Sequence, residues 1–132
     1  KNNQLILGGY MKETILYYHI TDEMKAYLMQ LQDQLHIHLQ EITDQDIHQK
    51  MGYILHIPEY EKQENQFLPK PKSSLLYFAH MSDKQLDILQ LLRQSGLPSI
   101  PFKAMMTPHN LDFTFYELYH EIEEEYLMMS KR

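Results

Sequence analysis

The chain states one plan twice. Leu16-Tyr17-Tyr18-His19-Ile20-Thr21-Asp22 is echoed by Leu76-Tyr77-Phe78-Ala79-His80-Met81-Ser82-Asp83. Each copy is an apolar run, a hydroxyl–acid pair and then a helical pattern. Further on, Ile42-Thr43-Asp44-Gln45-Asp46-Ile47 returns as Met106-Thr107-Pro108-His109-Asn110-Leu111. A strand-length apolar run leading into a capped helix, used twice, restricts the chain to an α/β architecture.

Residues 14–19 read as the first core strand. Thr21 stands where a helix N-cap belongs, able to accept from unpaired backbone N–H groups. Met24, Tyr27, Leu28, Leu31 and Leu35 follow at helical spacing. Leu35, Ile37 and Leu39 then alternate with His36, His38 and Gln40, as in an edge strand with one wet face. A short helix is expected over residues 44–55. Pro69 and Pro71 exclude regular helix from the polar stretch 58–74, which reads as a connector open to disorder and pinned by Phe67 and Leu68. In the second half, residues 75–79 are apolar on both faces, as a central strand requires. Ser82 with Gln85 forms a capping-box pattern, and Leu86, Leu89 and Leu92 lead to a stop at Gly96. Ile100, Phe102 and Ala104 alternate beside Pro101, again an edge. Thr114 with Glu117 caps a last helix whose inner face is Phe115, Leu118, Tyr119, Ile122, Tyr126 and Met129.

These elements predict a small doubly wound, flavodoxin-like three-layer sandwich. Its four-stranded, mostly parallel sheet has the order 2-1-3-4 and is built from two βαβα repeats. Right-handed crossovers on such a sheet put the first and third helices on opposite faces. An antiparallel last strand is the open alternative. Residues 1–10 read as an N-terminal extension, not native or poorly ordered, before a start at Met11. Residues 11–132 read as one domain: a first half 11–57, the connector 58–74 and a second half 75–132.

Eighteen acidic against twelve basic residues leave a net charge of −6, and the basic residues are scattered, so no nucleic-acid partner is expected. No apolar run reaches the length of a membrane span, and no membrane partner is expected. With no cysteine, disulfides and thiolate metal sites are excluded, which suits a cytoplasmic protein.

The segment Lys103-Ala104-Met105-Met106-Thr107-Pro108-His109-Asn110 resembles the bacterial (Firmicutes) domain of unknown function 3783 family, whose members show Lys-Ala-x-x-Thr-x-x-Asn. Phe113-Thr114 and Leu118 with Glu121 continue the likeness, although members commonly carry Trp where this chain has Phe113. Gly52-Tyr53-Ile54-Leu55 and the turn at Phe78-Ala79-His80-Met81-Ser82-Asp83 are also similar, extending the resemblance from about Met11 to the C-terminus. At His80 members often carry Gly. The resemblance implies a self-standing intracellular bacterial domain and no particular activity.

Ligands of doubly wound sheets bind beyond strand carboxyl ends where the strand order reverses. That places His19, Thr21 and Asp22 opposite His80, Ser82 and Asp83 around one crevice, with two helix N-termini favouring an anion. The plainer reading makes Thr21 and Ser82 caps and Asp22 and Asp83 first-turn acids. Lys103, Thr107 and Asn110 form a second candidate, in which Lys103 meets an anion held by the other two; their plainer role is a turn before the last helix. His36 and His38 share a strand face, but no third ligand is in register, so no metal is expected. With no nucleophile elbow, glycine-rich loop or cofactor signature, no catalytic residue and no cofactor is assigned.

The expected function is a non-catalytic cytoplasmic binding or protein-interaction module. The alternative is a small enzyme acting on an anionic molecule at the strand-end crevice. The partner is then an unknown protein or a small anion, and a homodimer through an edge strand is a further possibility. The second half, chemically the more distinctive, is where function is expected to sit.

Overall fold

The computed structural model describes residues 12–81 and 83–131; the expected extension 1–10, the start at Met11 and the Ser82 cap lie outside them. Strand β1 (Thr14–Tyr18) leads through helix α1 (Asp22–Leu35) to β2 (His38–Glu41). A 3-10 turn (Asp44–Asp46) and helix α2 (Met51–Ile54) complete the first half. The second half repeats the order with β3 (Leu75–Ala79), α3 (Lys84–Gln94), β4 (Phe102–Met105), a 3-10 turn (Asn110–Asp112) and α4 (Phe115–Ser130).

The sheet has the expected order β2-β1-β3-β4. The edge pairs β1–β2 and β3–β4 are parallel, so the last strand runs with its neighbour. The antiparallel step is at the centre: Thr14 opposes Ala79 and Tyr18 opposes Leu75. This makes the sheet mixed and relates the halves by a pseudo-two-fold axis normal to it, through the central Leu16–Tyr77 pair. Two right-handed crossovers related by such an axis fall on the same side of the sheet. The first and third helices, α1 and α3, therefore share a face, a correction to the opposite placement expected.

Each face is a separate core. Ile15, Tyr17, Leu76 and Phe78 pack with Met24, Leu28 and Leu31 of α1 and with Ile88 and Leu92 of α3. Leu16, Tyr18, Leu75, Tyr77 and Ala79 pack with Met51 and Ile54 of α2 and with Phe115, Leu118 and Tyr119 of α4. The sequence echoes obey the two-fold. Ile42 N–H donates to Tyr17 O at 2.8 Å, and Met106 N–H to Phe78 O at 2.9 Å. At the axis Lys50 pairs with Thr114, and Met51 N–H to Phe113 O mirrors Phe115 N–H to Gln49 O.

The connector has no helix or strand but is tied down. Buried Gln49 works like a strip of backbone, accepting from Gln63 N–H at 2.8 Å and donating to Gln63 O at 3.1 Å. The Tyr60 ring lies against Gly52, where a Cβ would come within 2.4 Å of it. Leu68 packs on the α2–α4 core as expected, whereas Phe67 is fully exposed and pins nothing.

Candidate functional site

The antiparallel centre decides where the two strand-end turns go. His19 follows β1 at the end of the sheet where β3 begins, and His80 follows β3 at the other end. They do not form one crevice, and His19, Thr21 and Asp22 do not converge with His80 and Asp83. Thr21 is a helix cap, accepting from Met24 N–H at 3.1 Å. Asp22 and Asp83 are exposed at the starts of α1 and α3. Both histidines adopt the left-handed conformation, with φ of 52° and 59°. That conformation favours glycine, which explains why Gly suits the His80 position.

The first turn carries a polar network built on Tyr18 and Asp44. The buried Tyr18 hydroxyl reaches two acceptors at 2.7 Å, Asp44 Oδ1 and the Pro71 carbonyl. His19 Nε2 is 2.9 Å from the same Asp44 oxygen, and its ring stacks on Tyr18. The Tyr18 hydrogen bond, helped by His19 and Lys70, holds the Asp44 carboxyl below its ordinary range; burial and the Asp44 carboxylate push the Tyr18 phenol up. A polar cleft of about 410 Å³ opens beside them, lined by His19, Thr43, Asp44, Gln45 and Lys70 among others. By the two-fold, Ala79 stands in the place of Tyr18 and Pro108 in the place of Asp44, so the tyrosine–aspartate pair is not repeated at those positions. The network's members satisfy one another and fasten the connector, with Ser74 Oγ donating to His19 O at 2.5 Å.

Lys103 separates from Thr107 and Asn110, which stay together. Asn110 Oδ1 accepts from Thr107 N–H at 3.0 Å and from the Tyr77 hydroxyl at 2.6 Å. Asn110 N–H donates to Thr107 Oγ1, and Asn110 Nδ2 to Met105 O, both at 3.0 Å. The loop is closed on itself, with Asn110 bound to the α2–α4 face through Tyr77. Lys103 is one residue out of phase with Phe102 and so lies on the α1–α3 side.

There Lys103 meets a partner the sequence analysis missed. A cavity of about 440 Å³ is lined by Met24, Leu89, Leu92, Leu97, Pro98 and Ile100, with Arg93, Ser99 and Lys103 as its polar residues. Lys103 Nζ donates to Ile100 O at 2.6 Å. Burial first, then the Arg93 charge, push its amine down. Among the described residues no carboxylate lies within ion-pair distance of either cation. The available signal was Arg93 itself, one of two arginines in an acidic chain, placed in the last turn of a helix.

Residues 75–129 match the family model of the domain of unknown function DUF3783. The match runs from β3 through nearly all of α4, so it covers the second half and not the first. No curated protein and no solved structure matches the chain. Among the described residues there is no helix long and apolar enough to cross a membrane, and no group of three His, Asp or Glu side chains able to hold a metal ion.

Proposed function

We propose that this chain is a non-catalytic binding module that takes a small anionic ligand in the Arg93–Lys103 cavity. The observation that carries the reading is two exposed cations that, among the described residues, have no carboxylate within ion-pair distance and that line a largely apolar cavity of binding-site size. Two like charges held together in a chain of net charge −6 favour an anion between them. A cytoplasmic setting in a Firmicutes bacterium belongs to the same proposal, supported by the cysteine-free composition and the family resemblance.

The test is a thermal-shift screen of the full chain against organic and inorganic anions, run beside an Arg93→Met/Lys103→Met double variant. A ligand at a hundred times its Kd should add about 2.7 kcal/mol of stability to the wild type and little to the variant. A panel that leaves the wild-type melting temperature unmoved would sink the proposal.

The enzyme alternative would have to use the His19–Asp44 cleft alone, since His80 is at the far end of the sheet. There the imidazole is engaged by Asp44 and the Tyr18 ring, which favours a structural tie. Pairing of two copies along the outer edge of β2 or β4 is the remaining partner reading. Both edges are four residues long and carry charge at Glu41 and Lys103, features that blunt edge pairing; light scattering decides it.

A further inference from the structure

We infer that the ligand of the Arg93–Lys103 cavity is an amphiphilic monocarboxylate, its carboxylate on the two cations and its hydrocarbon tail between α1 and α3; this rests on the anion-binding reading above. The head group follows from the donors present. Arg93 offers a planar fork that fits a carboxylate in two parallel hydrogen bonds, and Lys103 adds a point charge from β4.

Phosphate is recognised by backbone N–H groups at helix N-termini or in glycine-rich nests, and this cavity is built at the other kind of terminus. Arg93 is in the last turn of α3, which is capped at Ser95 and followed by Gly96 at φ 78°. The helix dipole there is negative and opposes a dianion more than a monoanion. Two of the loop's backbone positions offer no free donor: Pro98 has no N–H, and Leu97 N–H already donates to Ser95 Oγ at 3.1 Å.

The tail follows from the walls and the volume. Met24, Leu89, Leu92, Leu97 and Ile100 surround the space, and Met24 supplies an adaptable surface for a flexible chain. At a water's share of about 30 Å³, 440 Å³ gives room for roughly fifteen waters, or a chain of about that many heavy atoms. An aliphatic acid of medium length fills it, and inorganic anions leave it mostly empty.

The experiment is titration calorimetry on the full chain with the series hexanoate to dodecanoate below micelle concentrations. Decyl phosphate, decanol, decyltrimethylammonium and inorganic phosphate serve as comparison probes. The expected result is affinity rising about fourfold per methylene until the cavity is full. Decanoate should bind at least tenfold tighter than decanol or decyl phosphate, with the cation not bound. Arg93→Met/Lys103→Met should lose at least tenfold for decanoate, while Arg93→Lys/Lys103→Arg, which keeps both charges, should retain most of the binding. Decyl or inorganic phosphate binding as tightly as decanoate would overturn the monocarboxylate and leave the anion site standing. Decanol binding as tightly as decanoate, or no binding by any anion, would overturn both.

Discussion

Tyr18 is wholly buried, yet its hydroxyl must keep a partner, and Asp44 is what the fold brings to it. Twenty-six residues separate the two, so no local pattern announces the pair; in the sequence Asp44 is only an acid after a cap. Replacing Asp44 by Ala should cost about 1 kcal/mol near neutral pH, because Pro71 O still accepts from Tyr18. The pH dependence has a definite sign. The carboxyl is depressed chiefly by the Tyr18 hydrogen bond, from an ordinary value of 3.8. Its contribution is present above that value and is lost as pH falls through the folded-state pKa. Urea midpoints for the wild type and Asp44→Asn should therefore differ near pH 7 and draw together below about pH 4. A gap that stays constant to pH 3 would show that ionised Asp44 does nothing for stability.

At the level of elements, spacing and caps were highly legible. Thr21 and Thr114 cap as their positions suggest, Thr43 caps the first 3-10 turn as well, and Thr114 forms a reciprocal box with Glu117 at 2.9 and 3.1 Å. Thr114→Ala should lower stability by about 1 kcal/mol, seen as a lower urea midpoint with unchanged slope. Ser130→Ala, in the exposed last turn, should leave the midpoint where it is. The expected helix over 44–55 instead breaks into a 3-10 turn and α2. The Thr43–Asp46 box closes the first turn early, and Met51 N–H is drawn to Phe113 O across the two-fold. Periodicity also overreached at Leu86 and Met129, both about two-thirds exposed. It marks a helix face without saying how far the neighbouring layer extends.

On the scale of the whole molecule, the halves are joined by more than their connector. They share five residue pairs between β1 and β3, the Lys50–Thr114 bridge and both cores. Chymotrypsin should cut after the fully exposed Phe67, and the nicked protein should elute from a sizing column as the intact chain does until denaturant is added. Separation in buffer alone would mean that the connector holds the halves together. The sequence by itself determined the two repeats, most of their elements, the Thr21 and Thr114 caps, the strand order and the sandwich class. All of these follow from local apolar spacing and from side chains bonded within a few residues. Only the tertiary structure decided that β3 runs against β1, because a strand buried on both faces reads the same in either direction and a long connector can reach either end. That one orientation set α1 and α3 on a common face, sent His19 and His80 to opposite ends, and brought Met24 of α1 to the apolar cavity that Arg93 and Lys103 line. The repeat that opened as a pair of facing turns is a two-fold axis, and its unmatched residues carry the chemistry.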